Sequence, residues 1–233
     1  MLMEKKLRDV GIALGAALSA VTAMYVFVIR PWQLRRGATD EEVNRELPGD
    51  DLVPNSKHGY TQAITIDAPP AKVWPWVVQI GYKRAGWYSH DGLHRMMGIA
   101  GSVENEEQSA ERIIPELQDL KVGDVIEIAP EMGYRVVRLE PERAMVLLSR
   151  VATIGDWRSL EDDEPLSDEY LISSWTWYLE EIEGGKTRLI VRVRSDYSGS
   201  LGTTLAVVVP NELGSLVMQP KTMQGIKARV EAA

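Results

Sequence analysis

Residues 10–29, VGIALGAALSAVTAMYVFVI, run for twenty positions without a charge or a proline. At about 1.5 Å rise per residue, such a run makes a helix long enough to cross the hydrocarbon core of a bilayer. Lys5, Lys6 and Arg8 precede it, and Arg30, Arg35 and Arg36 follow it. Three structures compete for a segment of this kind. A buried core helix would be shorter or carry a polar stripe, and this run is apolar on every side. A cleaved signal peptide needs a short apolar run that stops at a small-residue site. Val21-Thr22-Ala23 passes as such a site, but the apolar run continues through Met24–Ile29. The sequence therefore predicts an uncleaved single-pass anchor, with its basic flanks filling residues 1–36. Tyr25 and Trp32 suit an interfacial aromatic belt, and Arg45 tips the positive-inside count towards a cytoplasmic C-terminal domain.

Charge is unevenly placed. The net −8 divides into +4 over residues 1–36 and −12 over residues 37–233. An acidic domain on a basic stalk is repelled by nucleic acid, which excludes DNA and RNA as expected partners. The absence of cysteine rules out a disulfide framework and names no compartment. Three histidines with no HExxH spacing point to no metal and no cofactor. The seven Trp and eight Tyr stand against a single Phe, Phe27, which lies in the anchor. The soluble part is thus built with rings that carry a polar handle, as rings lining a pocket often do.

Residues 37–60 are acidic and punctuated by Pro48, Gly49 and Pro54, and read as a linker or arm with one short helix near 40–46 capped by Thr39. The domain proper is expected over residues 61–233. Thr61–Asp67 alternates like a first strand, and Pro70 opens a helix that Gly81 stops. A second short helix is expected near 90–97. Strands follow at Asp124–Ile128, Tyr134–Leu139, Ala144–Ser149, Leu171–Ile182 and Thr187–Asp196, the last two joined by Glu183-Gly184-Gly185-Lys186. Residues 152–170 form a long acidic loop that is solvated by default and a lid only as a possibility. Leu201–Val209 fits strand or helix, and an amphipathic helix with Pro220 inside it closes the chain.

This order, a strand and helix, then antiparallel strands, then a long terminal helix, describes an α+β domain. The run ITIDAPPAKVWPWVVQIG resembles the opening of SRPBCC proteins, the START-like superfamily that also holds polyketide cyclases and the birch-pollen allergen, whose first strand ends in "-APxxxVW". GWYSHDGLHRMMG, RIIPELQDLKVGDVI, SSWTWYLEEIEGGKTRLIVRVR and QPKTMQGIKARVE are similar to a membrane-associated branch of it. The resemblance covers roughly residues 38–232. It implies a helix-grip fold, a curved antiparallel sheet wrapped around a long C-terminal helix, with a hydrophobic cavity between the two. It fixes no activity, since this fold hosts carriers, cyclases, hydrolases and regulators.

Alternation on Leu171–Ile182 turns Trp175 and Trp177 inward and Thr176, Tyr178 and Glu180 outward. With Trp76, Trp87 and Tyr88 they are the expected ligand-binding residues, against the plainer reading that all five only fill a core. His90 and Asp91, with His94 one turn on, offer an acid–base pair, against the plainer reading that Asp91 or Ser89 caps a helix. Arg192 and Arg194 are expected on a solvated outer face. The function these residues imply is a membrane-anchored binding module for a hydrophobic small molecule: a lipid, an isoprenoid or a polyketide-like compound. The alternatives are a cyclase, dehydratase or hydrolase using His90 and Asp91, and a structural domain whose own side chains fill the cavity. A drug-sized pocket of about 300 Å³ or more separates the last from the others.

Overall fold

The first alternating segment and those of the second half pair into one six-stranded antiparallel sheet. The computed structural model describes residues 12, 15–151, 160 and 164–232. Its strands are β1 (His58–Ile66), β2 (Val125–Ala129), β3 (Met132–Glu140), β4 (Ala144–Val151), β5 (Leu171–Ile182) and β6 (Lys186–Tyr197), in the order β1-β6-β5-β4-β3-β2. Gly184 and Gly185, at φ 82° and 67°, supply the left-handed backbone that closes the β5–β6 hairpin. Register shifts between Glu127 and Ala129 and between Val136 and Arg138 mark irregularities in β2–β3–β4, of the kind that bend a sheet. The helices are α1 (Gly15–Leu34), α2 (Asp40–Asn44), α3 (Pro70–Val78), α4 (Asp91–Met97) and the long α5 (Leu201–Ala232). The fold is the α+β helix-grip arrangement. Most of the acidic loop, residues 152–159 and 161–163, lies outside the described residues, and the lid reading lies there with it.

One face of the sheet carries the core. Ile66, Ile126, Val136, Met145, Leu147, Trp177, Leu179, Leu189 and Val191 form a single buried cluster with Val73, Trp76 and Val77 of α3 and Met223, Ile226 and Val230 of α5. The ambiguous segment Leu201–Val209 is helix, started by Ser200, whose side chain accepts from the Thr203 N–H. A wide π-helical stretch, Gly214–Met218, divides α5 into an upstream half with few buried residues and a downstream half with many. The downstream half lies almost on the loop before α4. A Cβ added at Gly225 would overlap the Tyr88 carbonyl oxygen, and Tyr88 itself holds φ 53°.

The other face of the sheet is not bare, and residues 37–57 are not a free arm. The Thr39 hydroxyl accepts from the Glu42 N–H while the Glu42 carboxylate accepts from the Thr39 N–H, a capping box that starts α2. Leu47 then packs on Ala63 and Ile190. Arg192, expected in solvent, is 4% exposed beneath this segment. Its guanidinium donates to the carbonyls of Glu42, Val43 and Arg45, the open end of α2, and to Asp50 at 2.5 Å. Arg194 likewise donates to the carbonyls of Val53 and Pro54. Alternation had placed these arginines on the correct face. What it lacked was the α2 carbonyls that needed donors. The first strand also begins three residues early, at His58, because Lys57 N–H already bonds the Ser195 carbonyl.

Two outcomes test this description. Gly225→Ala is expected to destabilise by about 1–3 kcal/mol through overpacking, and denaturant unfolding measures it. Arg192→Leu is expected to cost about 3–5 kcal/mol, since it strips the α2 carbonyls of their side-chain donor and leaves Asp50 only the Leu47 N–H and the longer ion pair with Arg194. Asp50→Asn should cost clearly less, and equal losses for the two would contradict the carbonyl-capping role.

Candidate functional site

The segment Gly86-Trp87-Tyr88 is held as a template by its neighbours. Gly81 and Gly86 exchange both backbone hydrogen bonds at 3.1 Å. The Ser109 hydroxyl accepts from the N–H groups of Trp87 and Tyr88 and donates to Asp91 at 2.8 Å. Trp87 Nε1 donates to the Ile99 carbonyl, which fixes the ring. Held so, Trp87 stacks on Trp175 of β5 with centroids 6.2 Å apart, and the Tyr134 ring meets Trp175 edge-on at 5.8 Å.

These rings wall a recess of about 200 Å³ between the sheet and the middle of α5. Tyr60, Ile128, Tyr134, Trp175 and Val193 line it from the sheet, Trp87, His94 and Ile99 from the α4 side, and Asn211, Gly214, Met218, Gln219 and Thr222 from α5. No Asp, Glu, Lys or Arg is among them. Burial holds His94 below its usual pKa against the opposing pull of Asp91, so the imidazole is neutral at pH 7. Burial pushes the Tyr60 and Tyr134 phenols up, so they stay protonated. Tyr60 donates to Gln219 Oε1 at 3.3 Å and Tyr134 to Ser173 at 3.1 Å. Among the described residues, three buried polar atoms of the lining side chains have no hydrogen-bond partner: His94 Nδ1, Trp175 Nε1 and Gln219 Nε2. A larger hollow of about 630 Å³ beside α4 is a surface groove with Lys83, Arg95 and Glu106 in its walls.

Of the five rings expected to bind a ligand, the recess gathers Trp87 and Trp175. Trp76, Tyr88 and Trp177 are buried in the surrounding core. Tyr88 accepts from Gln79 Nε2 and donates to the Trp76 carbonyl, and the Trp76 ring meets it edge-on at 5.6 Å. The acid–base pair is not assembled. His90 is exposed, Asp91 serves Ser109, and among the described residues no hydrogen bond joins the two. The plainer reading, that Asp91 or Ser89 caps the helix, does not hold either: His90 is the N-cap and has no side-chain capping bond, the Asp91 carboxylate accepts from Ser109, and the Ser89 hydroxyl donates to the Met218 carbonyl. His94, one turn on, is the histidine that reaches the recess. Tyr60, Tyr134 and Gln219 were missed. Extending the β1 alternation one residue upstream of Thr61 would have found Tyr60.

No protein-family model matches the chain, and no curated protein matches it. Solved structures do. Protein MLL2253 from Mesorhizobium loti is similar at 14% identity and a TM-score of 0.39, over 76% of this chain and 98% of that one. Protein CV1439 from Chromobacterium violaceum is similar at 15% identity and 0.42, over 74% and 96%. Ara h 8.0201 is similar at 14% identity and 0.39, over 76% and 99%. At such distances nothing about a site transfers to this chain.

The depressed pKa of His94 sets a direction. The unfolded chain protonates this group near pH 6.5, roughly its free value, and the folded chain only lower. Its contribution is whole above about pH 6.5 and is lost as pH falls, by up to about 1.4 kcal/mol per pH unit until the folded group protonates. His58 is also lowered by burial and acts in the same sense. Thermal unfolding at pH 7.5 and 5.5 should therefore show a loss of Tm in acid that is smaller in His94→Leu than in the parent protein. Equal losses would mean that His94 is not desolvated in the fold.

Proposed function

We propose that the protein is a binding module, held at a membrane by α1, whose recess takes a small, neutral, largely apolar molecule. The carrying observation is the recess itself: stacked indoles and phenols, no formal charge, and three polar atoms without partners on its lining side chains. A charged guest would be left without a counter-charge there. A guest bearing one or two oxygens would satisfy donors that are otherwise unpaired. An apolar cavity of about 150 Å³ holds a benzene-sized molecule, so the size favours a single ring or the end of a longer chain over a whole lipid. The tether supports the same reading. Every residue of α1 from Gly15 to Met24 is exposed, the helix is apolar and long enough to span, and a membrane-held pocket meets lipophilic molecules at raised local concentration. With the flanks of α1 balanced at three basic residues each, Arg45 tips the reading to a cytoplasmic domain.

The volume also favours a second reading. It lies below the roughly 300 Å³ of drug-sized pockets, as expected of a structural domain without a guest. Titration of the detergent-purified full chain with 4-bromophenol, whose heavy atom quenches nearby indoles, separates the two. Saturable quenching that is lost in Thr222→Phe supports a guest site. Quenching that is linear and identical in both proteins supports the structural domain. Because the chain has no cysteine, Glu183→Cys in sealed inverted vesicles reports the side of the domain. Labelling by an impermeant maleimide is expected from the outside of such vesicles.

A further inference from the structure

The upstream half of α5 turns an uncharged face outward. Residues 201–211, LGTTLAVVVPN, carry no charge, and Leu201, Leu205, Val209 and Leu213 form an exposed stripe at four-residue spacing, 75%, 54%, 49% and 58% exposed. The opposite face is used: Thr203, Val207 and Ser215 are buried against the domain. The stripe continues to the recess. Leu213 and Val217 flank Gly214 and Met218 of its wall, and exposed Met96 and Met97 precede Ile99 of the same wall. A contiguous exposed apolar strip of this kind marks an interaction surface.

What covers it follows from where α1 leaves the domain. Glu212, the first charged residue of α5, is turned to α1: it accepts from Arg30 Nε at 2.7 Å, Gln33 Nε2 at 2.6 Å and the Tyr25 hydroxyl at 3.0 Å. The spanning helix therefore departs from the base of the stripe. We propose that the outer face of α5 from Leu201 to Val217, with Met96 and Met97, rests in the acyl boundary of the bilayer that α1 crosses, so that the recess opens towards lipid and exchanges its guest with the membrane. A helix whose apolar side enters the interface needs a polar side facing away, and here the domain takes that place. The proposal rests on α1 being a membrane tether.

Power-saturation EPR on the full chain in nanodiscs of three parts phosphatidylcholine to one part phosphatidylglycerol tests it, again without background cysteines. Spin labels at Leu205→Cys and Val209→Cys are expected to favour oxygen over a water-soluble nickel chelate several-fold, like a label at Leu18→Cys in α1 and unlike one at Glu183→Cys on the β5–β6 turn. If the α5 labels match Glu183→Cys while Leu18→Cys is lipid-like, the proposal is overturned and the tether stands. A water-like Leu18→Cys removes both. Dipolar broadening at Leu205→Cys or Val209→Cys would show a second copy of the chain on this face and would overturn the lipid assignment.

Discussion

The carbonyl of Tyr88 lies so near Gly225 that any side chain there would overlap it, and the site takes its shape from that contact. It lets the downstream half of α5 sink onto the loop and the inner face of the sheet, where Met223, Ile226 and Val230 complete the core. It also fixes where the helix must part from the sheet again. The gap opens upstream of Thr222, over a part of the sheet whose inward residues include the large, flat Trp175 and Tyr134. Trp87, placed by the same loop, closes the near side. The recess is thus a product of a helix pinned at one end rather than of missing side chains.

The outer face shows a different economy. A short helix of five residues has more unsatisfied carbonyls than it has turns. Here one arginine from the sheet satisfies three of them and an aspartate besides. The segment that links α1 to β1 is thereby part of the domain. Its ion pairs, Arg188 with Glu42 and Arg45 with Glu180, repeat the pattern of sheet residue to covering segment.

Strands and helices were legible because their signals are local. Alternation, Gly184-Gly185 and Pro70 all act within a few residues, and Leu171–Ile182 has the same limits in sequence and structure. The inward turn of Trp175 and Trp177 followed from the same period of two. Legibility ended where partners are distant in the chain. Nothing near Arg192 announces the α2 carbonyls about 150 positions away, and nothing near Asp91 announces Ser109. The recess lining was half legible for the same reason. Trp87 and Trp175 stand out as rings, whereas Gln219 and Thr222 acquire their place only when α5 is laid on the sheet. The ambiguity of Leu201–Val209 had its own cause: β-branched residues and an unusual outward apolar face erase the periodicity that separates helix from strand.

Gln62 is a small feature with a long reach. Its side-chain amide nitrogen lies 2.6 Å from the carbonyl of Gln33 at the end of α1 and 2.7 Å from that of Ser215 in the wide turn of α5. With Glu212, three residues before Ser215, bonded to the same helix, the two rods are joined like a handle to a shutter. Any force that tilts the first must break these bonds or carry the second along. If α1 spans a bilayer as proposed, the thickness that sets its tilt is a mechanical input to the wall around Trp87 and Trp175.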